Sequence, residues 1–311
     1  MKSFRSVSPL FEEGVRGSLL LLFLFFALSL HAQVVTVYKA GKAIGCFVSP
    51  DSMMFSDTYP DFAASTVFAV SDTSYVHFSK GNLQYQASTD TWRFADRQYD
   101  YVGDGNANIS DTTYTGWIDL FCWATGDDPT FVGDFDNYKT VFVDWGINVI
   151  GTDTANTWRT LTPDEWQYLF QHTHWTMATV NDTLGLMFLP THFETPEGLT
   201  LSILGGGNLS DYRLNFAESD YATNVYTASD FARLESMGVV FLPCAGDRGL
   251  LDDQLRIYNC GVYGFYWAAT PVYTNLVQYF LFGQKTACYT NHHPQMGMSV
   301  RLVKDVPFNN Q

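Results

Sequence analysis

Basic residues are scarce in this chain of 311 residues. Seventeen lysines and arginines stand against 32 aspartates and glutamates, a formal charge of −15. Nucleic acid and anionic lipid would both be repelled, so neither is a fitting partner. Charged residues of either sign amount to only 16%, and aromatics also reach 16%. Polar surface therefore has to come from Asn, Thr, Ser, Gln and Tyr, as in many extracellular recognition proteins. Cysteines are few and scattered, at Cys46, Cys122, Cys244, Cys260 and Cys288. The absence of any C-x-x-C pair leaves zinc ribbons and thioredoxin chemistry without support. Export permits disulfides, with Cys244–Cys260 or Cys260–Cys288 the nearest options in sequence. The odd count leaves at least one free thiol, and buried free cysteines acting as small apolar fillers are the simpler expectation.

Only one hydrophobic run stands out. Lys2, Arg5 and Arg16 precede the apolar stretch Leu19 to Leu30, and Ala32 follows at a cleavage-like position. Residues 1–32 read as a secretory signal peptide with a long n-region containing Glu12 and Glu13. About twelve apolar residues are short for an uncleaved membrane anchor, the alternative reading. No cysteine sits at the cleavage point, which argues against a lipoprotein anchor. Cleavage would leave about 279 residues, enough for one large domain and a small appendage, and would shift the formal charge from −15 to −16. The expected products are a periplasmic, outer-surface or secreted protein without a membrane span.

Residues 33–56 read as a small β-element, two short strands around a Gly-containing turn and then a third. Residues 57–65 read as a linker, 66–306 as the main domain and 307–311 as a tail. The domain opens as a meander in which Val76 and Phe78, Leu83 and Tyr85, and Trp92 and Phe94 alternate with more polar neighbours, separated by turn signals. A stretch rich in Gly, Asp, Asn and Thr, residues 103–116, follows, then the aromatic run Trp117 to Trp123 and a long irregular segment through Asn156. Such a length without periodicity means structured loops laid over a core. A helix follows, signalled by Thr162 as N-cap, Pro163 at the first position and Glu165 closing a capping box. Trp166, Leu169 and Phe170 form its apolar face. A second helix is expected after Thr227, with Phe231 and Leu234 inward and Gly238 beyond its end. Each helix leads to a strand ending in Phe-Leu-Pro, at 188–190 and 241–243. Few helices, many short strands and long loops argue α+β.

Chemical motifs are weak. His172-x-His174 has the wrong spacing for two ligands on one helix face. His292-His293 has no local carboxylate or thiol to complete a metal set and reads as loop. Asp104, Asn106, Asn108 and Ser110 have calcium-loop spacing but lack the Gly and terminal Glu of an EF-hand. Gly205-Gly206-Gly207 lacks the following Lys-Ser/Thr of a phosphate loop. Asp127-Asp128 and Asp134 with Asp136 read as exposed acids, not an acid/base pair. No catalytic residues, metal or cofactor are assigned.

Two resemblances rest on particular residues. The form V-Y-K-x-G … D-S-x-x-F, carried by Val37, Tyr38, Lys39, Gly41, Asp51, Ser52 and Phe55, resembles a β-element found at the start of many exported Bacteroidota proteins. The stretches 78–86, 91–95, 158–166, 240–243, 264–270 and 299–303 are together similar to the Fibrobacter succinogenes major paralogous domain and its Bacteroidota relatives. Those resemble the formylglycine-generating-enzyme branch of the C-type lectin-like fold. W-R-T-L-T-P-D-E-W matches that branch's helix start and S-V-R-L-V its terminal strand. The resemblance implies two helices on small, twisted antiparallel sheets, long loops on one face, and pairing of the first and last strands. It does not carry over the branch's copper oxidase activity, which needs paired cysteines where this chain has Cys288 alone. Nor does it carry over calcium-dependent sugar binding, whose E-P-N or Q-P-D and W-N-D motifs are missing.

In the C-type lectin-like fold the region before the last strand builds the ligand face, which here would be Tyr273, Asn275, Gln278, Tyr289, Asn291 and His292. Tyr, Asn and His offer contact area and hydrogen bonds at modest entropy cost. The expectation is an exported, non-catalytic recognition or adhesion module that binds a glycan or a protein. The alternatives are a metal-dependent oxidase of the formylglycine-generating type and a structural part of a surface assembly.

Overall fold

The computed structural model describes the strands Val34–Lys39 and Lys42–Val48 and residues 67–190, 193–205, 213–252, 254–273 and 275–306. The expected signal peptide, third N-terminal strand, linker and tail lie outside the described residues, as do Gly206 and Gly207. The chain divides into two units, 1–59 and 60–311. In the first, Val34–Lys39 pairs antiparallel with Lys42–Val48, with a register irregularity between Val37 and Tyr38.

The second unit is α+β, with small, mostly antiparallel sheets and two α-helices among the described residues. One four-stranded sheet has the order Val67–Ala69, Tyr75–Phe78, Leu302–Asp305, Arg159–Thr160, so strands from the beginning and end of the domain pair. It carries the chain into helix α1, Pro163–His172. The capping box is formed: Thr162 accepts from Glu165 N, and the Glu165 carboxylate accepts from Thr162 N at 2.8 Å. Arg159 grips that carboxylate through both terminal nitrogens and also binds Asp305. Burial works against the guanidinium's charge, but the two acids outweigh it and raise its pKa above the usual arginine value. One arginine thus ties the helix start to the C-terminal strand.

The helix face predicted from its spacing is buried. Trp166 stacks on Phe280 at 5.4 Å and contacts Phe78 and Tyr266, while Phe170 stacks on Trp175 at 4.5 Å. Next, His174–Val180 and Thr183–Leu189 form a hairpin whose two-residue loop, Asn181-Asp182, has positive φ at both positions. That is the conformation which matches strand twist, and Asn and Asp tolerate it well. Val240–Pro243 pairs with the second strand of this hairpin and Val225–Tyr226 lies parallel to the first. Helix α2, Ala228–Ser236, is capped by Thr227 and Asp230 and packs Phe231 and Leu234 inward. Gly238 follows it with φ +92°, the left-handed position that ends helices.

The third four-stranded sheet has the order Arg213–Asn215, Thr286–His292, Leu276–Gly283, Tyr263–Tyr273. Its two faces serve different cores. Phe280 and Phe282 pack with Trp166 and Phe188, whereas Val277 and Tyr279 pack with Trp92, Phe121, Trp123, Trp145 and Trp267. The terminal S-V-R-L-V segment becomes a strand only from Leu302; Met298 and Ser299 make single bridges to Phe121 and Tyr266. Arg301, 1% exposed, donates to Gln98 at 2.9 Å and Asn82 at 3.4 Å but forms no ion pair among the described residues, and burial lowers its pKa to about 10. Among the described cysteines Cys122, Cys244 and Cys288 are buried and Cys260 is half-buried, and neither of the two nearest disulfide options is formed. Burial pushes the Cys260 thiol up to about 11, and the thiol donates to Ala245 O.

Candidate functional site

The expected ligand residues do not gather on one surface. Leu276–Gly283 and Thr286–His292 form a hairpin in which Gln278 faces Asn291, Val277 faces His292 and Phe280 faces Tyr289. Side chains alternate between faces along a strand. Gln278, Asn291 and Tyr289 therefore share one face and His292 lies on the other. Asn291 is exposed and Gln278 half-exposed at the open end of the hairpin; Asn275 is exposed just before it. Tyr273 ends the neighbouring strand, paired with Leu276. Tyr289 packs between Phe170 and Phe280, and its hydroxyl is buried with no hydrogen-bond partner. Burial raises its pKa far above the usual phenol value. Tyr289 supports the core, which corrects its place among the six residues expected to build a ligand face.

His292 leads to a better-built arrangement. Its Nδ1 accepts from His293 N at 2.8 Å, its ring lies 6.3 Å from Tyr279, and burial lowers its pKa. The next five residues are pinned by the aromatic segment Trp117–Trp123 and by Arg248. Trp123 N donates to Pro294 O at 2.9 Å, Cys122 Sγ to Gln295 O at 3.0 Å, and Gly297 exchanges two backbone bonds with Arg248. Onto this segment folds part of the long irregular loop. Gly133 is buried so tightly that a Cβ there would meet Gln295 Cβ and Asn137 O, each at 2.9 Å. Asp134 then closes a turn, its Oδ1 accepting from Asp136 N and Asn137 N at 2.8 Å.

That turn holds Phe135 outward. The residue is 70% exposed, yet its ring meets the His293 ring in a T-shaped contact at 5.1 Å, and Tyr138 meets the same imidazole at 6.5 Å. Two polar atoms at the base are buried without partners, His293 Nδ1 and Gln295 Oε1. Lys139 is held by Asp127 and Asp128 at 3.7 and 3.4 Å and lies over Phe131. Phe135 and Tyr138 were not singled out from sequence. The available signal was an aromatic between two aspartates, D-F-D, in a segment too polar to bury it.

The remaining motifs have structural uses. Asn106, from the calcium-like spacing, turns inward: its amide donates to Asp119 at 2.8 Å and its oxygen accepts from Asp119 N and Leu120 N. His172 ends α1 with Nδ1 2.9 Å from Tyr168 O and its ring stacked on Tyr168, while His174 begins the next strand. Among the described residues no cluster of three or more His, Cys, Asp or Glu has metal-binding geometry. None of the described helices is long and apolar enough to cross a membrane. No protein-family model, curated protein sequence or solved structure matches this chain.

Proposed function

We propose that this chain is an exported, non-catalytic recognition or adhesion module whose domain belongs to the C-type lectin-like fold and binds a glycan or protein through its loops. The observation that carries the reading is Phe135. An exposed aromatic ring is held by a tight turn against a pinned histidine, next to buried polar atoms that lack partners. Rigid aromatic anchors with adaptable polar neighbours are what recognition surfaces use. The lectin-like assignment is supported by pairing of early and late strands, by two capped helices and by the long loops around 103–156. Export is supported by the basic, apolar and small-residue succession of residues 1–32.

A glycan and protein array probed with the mature chain tests this. Binding should weaken in Phe135→Ser while the melting transition stays in place. Binding indifferent to that substitution would move the site elsewhere.

A further inference from the structure

Resting on the recognition reading, we propose that the face built by the 127–149 loop and residues 292–295 docks a basic protein segment that also carries apolar side chains. Charge is the first observation. Within residues 127–149 the chain has five aspartates, Asp127, Asp128, Asp134, Asp136 and Asp144, and a single base, Lys139, and that lysine is already held by Asp127 and Asp128. Asp134 and Asp136, either side of Phe135, are exposed and have no ion-pair partner among the described residues. The surface therefore favours a cationic ligand and repels an anionic one.

The second observation concerns hydrogen bonding. Gln295 is 8% exposed, and its Oε1 is an acceptor without a donor. It lies beside Gly133, where the Asp134 turn begins. Lysine and arginine are donors only, so basic side chains match the exposed, acceptor-only carboxylates of Asp134 and Asp136 at this turn, while Oε1 itself lies too deep for a ligand to reach. The third observation separates protein from glycan. Besides Phe135, the same loop exposes Val141, Ile147 and Val149. A sugar makes little use of three aliphatic side chains, whereas a peptide covers them with its own apolar groups and the stems of its lysines and arginines. The face is also pre-organised, since residues 293–297 are fixed by Trp123, Cys122 and Arg248 before any partner arrives.

The test selects a random peptide library displayed on phage against the immobilised mature chain. The selected peptides should be enriched in Arg or Lys together with apolar residues, relative to the unselected library. Their affinity in solution should fall about tenfold in Phe135→Ser and in the double variant Asp134→Asn/Asp136→Asn, as for an anchor and its charged rim. Raising salt from about 50 to about 500 mM should weaken binding by a similar factor, because exposed charges become screened. Neutralising exposed acids elsewhere, as in Asp182→Asn/Glu197→Gln, should leave affinity unchanged. Peptides without basic enrichment, or peptides that bind Phe135→Ser as well as the parent, would overturn the proposal. Neutral oligosaccharides captured in a Phe135-dependent way would overturn it and leave the recognition reading standing. A folded chain that binds neither peptides nor oligosaccharides would overturn both.

Discussion

Replacing Asp119 by Asn should change how stability depends on pH, by an amount the structure allows to be worked out. Asp119 is fully buried, and its carboxylate accepts from Val102 N at 2.9 Å and from the Asn106 amide at 2.8 Å. Among the described residues no lysine or arginine pairs with it. Desolvation dominates over those hydrogen bonds, and the pKa rises to about 6 from an ordinary 3.8. In the folded state the proton is therefore held more tightly than in the unfolded chain. The sign follows: the contribution is most favourable below pH 3.8, and it is lost as pH rises through 6. With about 1.36 kcal/mol for each pH unit between the folded and unfolded values, the loss is about 3 kcal/mol. The amide introduced by Asp119→Asn cannot titrate, so the difference in unfolding free energy between variant and parent should move by about 3 kcal/mol in the variant's favour from about pH 3.5 to about pH 7. Any fixed offset, such as an amide facing the Val102 N–H, cancels in that comparison. Urea unfolding followed by tryptophan fluorescence at several pH values measures it. A difference that stays flat within about 0.5 kcal/mol across the range would refute the argument and mean that Asp119 remains ionised when buried.

Trp166→Ala should cost about 3–5 kcal/mol, because its ring is 1% exposed among Phe78, Tyr266 and Phe280; a shift below about 1 kcal/mol in denaturant unfolding would mean that its surroundings collapse to fill the space. Tyr289→Phe should leave the melting temperature unchanged or slightly raised, since it removes a buried hydroxyl that has no partner. A fall of several degrees would reveal a bond the hydroxyl makes in solution. Arg159→Met should cost about 1–2 kcal/mol, more than a typical surface ion pair, because one guanidinium holds both Glu165 and Asp305. A double-mutant cycle with Glu165→Gln checks this, and a coupling energy near zero would show that the two side chains act independently.

The helices were legible in the sequence because their signals are local. Thr162 to Phe170 and Thr227 to Leu234 each contain cap, first turn and apolar face within nine residues, and the structure forms both as read. The α+β class was legible from the spacing of short strands for the same reason. Burial of Cys122, Cys244 and Cys288 as free thiols was a matter of composition and was anticipated in kind, whereas Cys260 is only half-buried.

The residues expected to form a ligand face do not make one surface, and the reason lies in the hairpin 276–292. Listing polar residues in that stretch ignores the two-residue period that sends Gln278 and Asn291 to one side and His292 to the other. The alternation of Phe280 and Phe282 against Val277 and Tyr279 was visible, but assigning a core to each face needed the tertiary partners. Tyr289 shows the same limit, since nothing local tells a tyrosine facing solvent from one wedged between Phe170 and Phe280. Phe135 is the converse case. Its loop has no period from which exposure could be read, and its meeting with His293 joins residues 158 positions apart. What makes that contact specific is a glycine buried against Gln295 and an aspartate closing the next turn. Both residue types are common in any polar loop, so their placement becomes informative only once the 293–297 segment is seen fixed beneath them.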